Sequence, residues 1–118
     1  MEKRCVIYNR ISMGTQEELA EKRAKLIDYC INTLKIKNIT VFEEIASVLH
    51  KREEFDDMIK KIHNNEYTDL LVEHPDRLYK ATYNKKIFDD IVVDIASCGV
   101  ELHSMKVDFI INVEEMMD

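Results

Sequence analysis

Two short clusters carry residue types suited to phosphoryl chemistry. The first is Tyr8-Asn9-Arg10-Ile11-Ser12, where the first apolar run ends. Strand side chains alternate with period two, so Arg10 and Ser12 project from the same side of the backbone. That places a hydroxyl nucleophile beside a guanidinium able to clamp a phosphate. The second is Asp76-Arg77-Leu78-Tyr79-Lys80, after another apolar run that Pro75 closes. Leu78 interrupts its polar character, which predicts that the segment packs down onto the protein. Arg77 and Lys80 are three residues apart and share a face if the stretch is helical. Arg52 stands at the start of a helical pattern, where a cation opposes the helix dipole, and this points to another task for it.

Each of these residues also has a plain structural reading. A serine at a strand end is a favoured cap for the next helix. An arginine in an apolar strand is almost never buried unpaired, so Arg10 is expected to meet a carboxylate, Asp76 for instance, or an anion. Asp76-Arg77 after the Pro75 turn also reads as a solvated loop. None of the four histidines has metal-ligand spacing to another, and only His74 lies beside the proposed site. Glu53-Glu54, Asp56-Asp57 and Asp89-Asp90 alternate with apolar positions and read as solvated helix faces.

The elements that must position these groups follow from periodicity. Cys5-Val6-Ile7-Tyr8 reads as a buried strand, closed by Met13-Gly14. Thr15 with Glu18 three residues later has the form of a capping box. Leu19, Leu26, Ile27, Cys30, Ile31 and Leu34 then predict a helix of about 18–20 residues. Ile39-Thr40-Val41-Phe42 is a second strand, and residues 43–51, without a clear period, read as a loop. Phe55, Met58, Ile59 and Ile62 mark a second helix ended by Asn64-Asn65. Leu70-Leu71-Val72 is a third strand, apolar on both faces as central parallel strands are. Ile87, Phe88, Ile91, Val92 and Ile95 form a third helix with Gly99 as its C′ residue. Val100-Glu101-Leu102-His103 is a fourth strand, and Phe109-Ile110-Ile111-Asn112-Val113 a fifth apolar run.

This alternation predicts an α/β fold of three layers, a mostly parallel sheet of four or five strands with helices on both faces. Ligand chemistry in such sheets collects at the carboxyl ends of the strands. Ser12, the 43–52 segment and Asp76–Lys80 all follow strand ends and so converge on one edge.

Bulk composition narrows the function classes. The 118 residues suit a single compact domain, 46% of them hydrophobic. Two glycines and one proline argue for long helices with short connections. Three widely spaced cysteines in apolar contexts, Cys5, Cys30 and Cys98, read as buried thiols of a reducing cytoplasm. No apolar stretch approaches a membrane span, and the first strand is too short for a signal-peptide core. The net charge of −6 makes the isolated chain a poor DNA binder, since that affinity rests on Lys and Arg neutralising phosphates. No phosphate-cradling glycine-rich loop is present. A receiver-like domain is disfavoured because Glu43-Glu44 has no carboxylate partner in the first strand.

In this arrangement the chain resembles the catalytic domain of the serine recombinases, the resolvases and invertases. That family opens on a strand ending Tyr-x-Arg-Val/Ile-Ser, matched by Tyr8-Asn9-Arg10-Ile11-Ser12. Gln16 matches a glutamine shortly after the serine. Residues 42–47 and Arg52-Glu53-Glu54-Phe55 occupy the place of a loop with an acidic residue, Ser-Gly and an arginine. Asp76-Arg77-Leu78-Tyr79-Lys80 matches Asp-Arg-Leu-x-Arg, and Gly99-Val100-Glu101-Leu102 resembles the fourth strand. The chain departs from the pattern at Lys80, where the family has a second arginine, at Glu44 for aspartate and at Val48 for the glycine. Lysine keeps the charge but not the bidentate fork.

The resemblance implies site-specific DNA recombination. The serine attacks a DNA phosphodiester, forms a phosphoserine link and releases a 3′ hydroxyl, without metal or nucleotide cofactor. On this reading Ser12 is the nucleophile and Arg10, Arg52 and Arg77 hold the phosphate. Asp76 orients the arginines or assists proton transfer, Lys80 is the remaining cation, and Gln16 completes the set. The family's long dimerisation helix and DNA-binding domain are expected to be missing beyond residue 118, so that DNA is gripped through an absent C-terminal region. A homodimer or tetramer is expected of the full-length protein. The alternative is a catalytically degenerate resolvase-like module kept for interaction or regulation.

Overall fold

In a computed structural model of the chain, the structure describes residues 2–109. Four strands, β1 (Arg4–Ile11), β2 (Asn38–Ile45), β3 (Asp69–Val72) and β4 (Glu101–Ser104), alternate with helices α1 (Gln16–Tyr29), α2 (Glu53–His63) and α3 (Lys85–Ser97). The strands form one sheet of order β2-β1-β3-β4, and every pairing is parallel.

Alternation along β1 divides the core. Val6 and Tyr8 face the side where Phe55, Met58 and Ile62 of α2 and Ile95 of α3 pack. Cys5 and Ile7 face Leu26 of α1 and Cys30. The handedness of parallel crossovers accounts for this split. The chain moves one way across the sheet from β1 to β2 and puts α1 on one face. It then moves the other way, from β2 past β1 to β3 and on to β4, and puts α2 and α3 on the opposite face. The direction reverses between β1 and β3, which is where such folds open a crevice at the strands' carboxyl ends.

Helix starts follow local chemistry. Thr15 Oγ1 accepts the Glu18 N–H at 3.1 Å, so Thr15 rather than Ser12 caps α1. Asn84 Oδ1 does the same for Ile87 at the start of α3. The predicted first helix divides in two, α1 and then a π-helical turn over Cys30–Leu34. The Cys30 carbonyl accepts both the Lys35 and Ile36 N–H groups, and Lys35 ends the turn at φ 61°. Gly99 (φ 81°) takes the left-handed position after α3.

Two sequence expectations change, and a third falls mostly outside the described residues. Strand β2 continues through Ile45, in register with β1, so Glu43 and Glu44 belong to a strand and not to a loop. Their polarity hid this, because β2 is an edge strand and each carboxylate has a partner. Cys5 and Cys30 are buried as expected, with burial foremost in pushing both thiols up, but Cys98 is only half-buried. Of the fifth apolar run, Phe109 packs against the core on the α2 side, and residues 110–113 lie outside the described residues. Among the described residues no helix is long and apolar enough to cross a membrane.

Candidate active site

The crevice between β1 and β3 is built around Arg10, which is 1% exposed. Its strand position aims it toward the loops that follow β2 and β3. Nε donates to the Arg77 carbonyl at 2.9 Å, Nη2 to the Asp76 carbonyl at 3.0 Å, and Nη1 to the Ala46 carbonyl at 3.0 Å. Nη1 also donates to Ser12 Oγ at 3.1 Å. Of the two partners the sequence leaves open, a carboxylate such as Asp76 or an anion, the structure supplies no carboxylate and brings in Asp76's main chain instead. Carbonyl dipoles satisfy the donors without neutralising the charge. Burial lowers the Arg10 pKa, Arg77 and Arg52 add to that, and Tyr8 and Glu44 oppose it.

Arg52 lies beside Arg10, also buried. It holds the N-cap position of α2 without capping it. Its guanidinium folds back over the Phe55 ring, 4.0 Å from the centroid, and donates to the Arg77 carbonyl at 3.2 Å. The capping falls to Glu44, which accepts the Glu54 and Phe55 N–H groups at 3.3 and 3.1 Å. Negative charge at that terminus offsets the unfavourable cation. The Tyr8 hydroxyl donates to the same carboxylate at 2.6 Å, and burial with this hydrogen bond pushes the Tyr8 pKa up. The neighbouring Glu43 binds Asn9 and Arg23, tying β2 to β1 and α1.

The Asp76-Arg77 segment is a single 3-10 turn, Pro75–Arg77, so Arg77 and Lys80 do not share a helix face. Leu78 is fully buried and packs the segment down as predicted. The Asp76 carboxylate lies beside His74, with Oδ1 2.5 Å from Nδ1. While the Arg77 carbonyl joins the cluster, its side chain runs to Glu73, where Nη2 meets Oε1 at 3.1 Å. Arg77 Nε is buried without a hydrogen-bond partner. Glu73 also receives Lys22 at 2.7 Å and Lys106 at 3.6 Å. Burial alone would raise its pKa, but the Lys22 hydrogen bond and the three cations outweigh that and hold it below the usual carboxylate value.

Ser12, Arg10, Arg52, the backbone of Asp76-Arg77 and Glu44 therefore form one connected network. Ser12 itself is exposed, as a nucleophile must be. Four predicted side chains stand outside the network: Asp76 and Arg77, which enter it only through their carbonyls, and Gln16 and Lys80. Gln16, in the first turn of α1, is exposed and makes no hydrogen bond to it. Lys80 places its ammonium 5.2 Å from the Tyr83 ring.

Sequence reasoning missed Glu73, because its partner Lys22 is 51 residues distant. It also missed a second polar cluster at the opposite edge of the sheet. There Asp69, His103 and Glu101 have ligand-type atoms within 4.8 Å of one another, and Lys3 lies 3.9 and 3.8 Å from the two carboxylates. The lysine is a built-in cation for that group.

A parallel α/β domain with an arginine-lined hydroxyl at its switch point defines the class, and comparison with known proteins supplies the family. The model of "Resolvase, N terminal domain" matches residues 5–117, and the chain belongs to that family. Its structural neighbours are serine recombinase catalytic domains. The C-terminal catalytic domain of ISC1926 TnpA, an IS607-like serine recombinase, superposes with a TM-score of 0.75 at 22% identity, covering 97% of this chain and 75% of that one. A serine recombinase from Sulfolobus solfataricus gives 0.68 at 24% identity, covering 98% and 75%. The N-terminal catalytic domain of TP901-1 integrase gives 0.70 at 20% identity, covering 87% and 77%. No protein of curated function matches the sequence.

Proposed function

We propose that this domain catalyses the DNA strand breakage and rejoining of site-specific recombination through Ser12. The observation that carries the reading is the 3.1 Å hydrogen bond from Arg10 to Ser12 Oγ, in a crevice that also gathers the Arg52 side chain and the Arg77 carbonyl. Ser12 Oγ attacks a DNA phosphorus, the Oγ–P bond forms, and the bond from phosphorus to the 3′ oxygen breaks. The Oγ proton leaves and the 3′ oxygen gains one, so a phosphoserine and a free 3′ hydroxyl result. The reverse attack rejoins strands. Conserving the bond energy in the ester removes the need for a high-energy cofactor.

The surrounding charges suit that step. A guanidinium donor on Oγ favours its anionic form. Positive charge fixed in a buried setting stabilises the phosphoryl oxygens at little reorganisation cost. Arg10 is set in place by three carbonyls, and Arg52 by an aromatic ring and a hydrogen bond to the Arg77 carbonyl. Asp76, with His74 beside it, is assigned to orienting the arginines or to the proton. Gln16 is assigned to contacting the DNA at the mouth of the crevice, and Lys80 supplies a further cation after reorientation.

The DNA grip and the oligomer are assigned to parts outside this domain, in keeping with its charge of −6. In the ISC1926 TnpA protein the catalytic domain is C-terminal, and in TP901-1 integrase it is N-terminal. A DNA-binding part is therefore to be sought at either end. The position of Lys80 on Tyr83, away from the network, favours a second reading as a degenerate interaction module.

Incubating the full-length protein, with its DNA-binding part, and its Ser12→Ala variant with nicked suicide DNA substrates, followed by denaturing gels, separates the two readings. A covalent band that requires Ser12 is expected, with folding unchanged in the variant. A band that persists in Ser12→Ala refutes the nucleophile. No band with DNA bound favours the interaction module.

A further inference from the structure

Arg77 has a fixed backbone and a side chain placed for departure. Its carbonyl is held by Arg10 Nε and Arg52 Nη1, and its N–H donates to the His74 carbonyl at 2.9 Å. The guanidinium, by contrast, has one hydrogen bond among the described residues, Nη2 to Glu73, while Nε is buried with no acceptor among them. A buried donor without an acceptor is a standing cost that release would remove.

Glu73 is the more rigid partner. Its carbonyl accepts Ser104 Oγ at 3.2 Å and the Lys106 N–H at 3.1 Å, which fixes it to the end of β4. Its side chain is 12% exposed and touches three cations from three segments: Lys22 on α1, Arg77, and Lys106 after β4. One carboxylate among three cations leaves the group positively charged. When Arg77 leaves, Lys22 and Lys106 still compensate Glu73, so no uncompensated buried charge remains. The alternation of side chains puts Glu73 on the α1 side of the sheet, with Leu71, whereas Arg10 lies on the α2 side, with Tyr8.

We propose that Glu73 is a positioning residue that stores the Arg77 guanidinium on the α1 side of the crevice, and that an arriving DNA phosphate draws it off. Lys22 and Lys106 act through Glu73 and keep the stored state shallow. This inference rests on the assignment of Arg77 to the scissile phosphate. It predicts effects of opposite sign. Neutralising Glu73 frees the arginine, and removing Lys22 makes Glu73 hold it harder.

Two measurements on the same proteins test this. The first is the rate of Ser12-linked adduct formation on suicide DNA. Glu73→Gln is expected to form adduct several-fold faster, and Lys22→Gln about threefold to tenfold slower, with the Lys22 effect vanishing in the double variant because the two act through one carboxylate. The second is the nitrogen-15 NMR signal of Arg77 Nε–Hε without DNA, which is expected to be ordered in the wild type and mobile in Glu73→Gln. Slower adduct formation in Glu73→Gln, or an Arg77 side chain already mobile in the wild type, overturns the storage role. If the wild type forms no Ser12-dependent adduct, the recombinase reading fails, and the NMR comparison alone decides whether Glu73 stores Arg77.

Discussion

The two ends of the central strands each bury a charge and treat it in opposite ways. At the amino end, Asp69 is 1% exposed and meets His103 at 2.7 Å, the Thr68 hydroxyl and the more distant Lys3 ammonium. Side chains able to carry the opposite charge answer it, and its field closes on itself. At the carboxyl end, Arg10 is equally buried, yet four of its contacts are carbonyls or a hydroxyl and none is a carboxylate. Its hydrogen bonds are satisfied while its charge stays uncancelled. Arg52 adds to it, and the one carboxylate of that cluster, Glu44, is occupied in capping α2 and holding Tyr8. One end is a structural ion cluster and the other a standing attraction for an anion. Burial alone does not distinguish them, and the chemistry of the partner does.

This contrast can be broken at either end. The largest effect is expected from Arg10→Met, which strips donors from three carbonyls and the hydroxyl. Each hydrogen bond to a charged group contributes roughly 1.5–3 kcal/mol, less than additively, so a loss of about 3 kcal/mol in urea unfolding is expected together with loss of adduct formation. An Arg10→Met protein as stable as the wild type would show that the carbonyls find other donors. A smaller effect is expected from Asp69→Asn, which keeps the shape and removes the charge. Its cost is about 1–3 kcal/mol in the same assay, with Ser12 chemistry unchanged. Altered chemistry there would couple the two ends and end the distinction drawn between them.

The smallest effect concerns pH and Glu73. Its pKa is held below the ordinary 4.5, so the folded state favours the ionised form. The stabilisation is fully present above the ordinary value and is lost as pH falls through the lowered one. The stability difference between wild type and Glu73→Gln is therefore expected to be constant at neutral pH and to shrink below about pH 4.5 in acid titrations of urea unfolding. A difference that grows on acidification would reverse the assigned direction.

Much of this fold could be read from local pattern. The four strands, three helices, the Thr15 cap and the Gly99 terminus each depend on near neighbours, and each stands where periodicity put it, except for the end of β2 and the end of the first helix, which finishes in a π-helical turn. Glu43 and Glu44 looked like loop because their partners, Asn9, Arg23, Tyr8 and the α2 amides, are remote in sequence. Part of the candidate site was legible as well. Arg10 and Ser12 share a side by strand parity, and β-α alternation sends Asp76-Arg77 to the same edge. The identity of Arg10's acceptors was not legible, because main-chain carbonyls leave no mark in a sequence. Nor was Glu73, a lone acidic residue until Lys22, Arg77 and Lys106 surround it.

By itself, then, the sequence determined the alternating elements, the parallel sheet and the edge on which the chemistry-bearing residues collect, since these follow from hydrophobic periodicity and crossover handedness. Only the tertiary structure decided which groups face which: Arg10 on carbonyls, Arg52 on Phe55, Glu44 as the cap of α2, Arg77 on Glu73. The reason is range. Periodicity acts over a few residues, whereas the field at a buried site is set by angstrom-scale contacts between segments that sequence order keeps far apart.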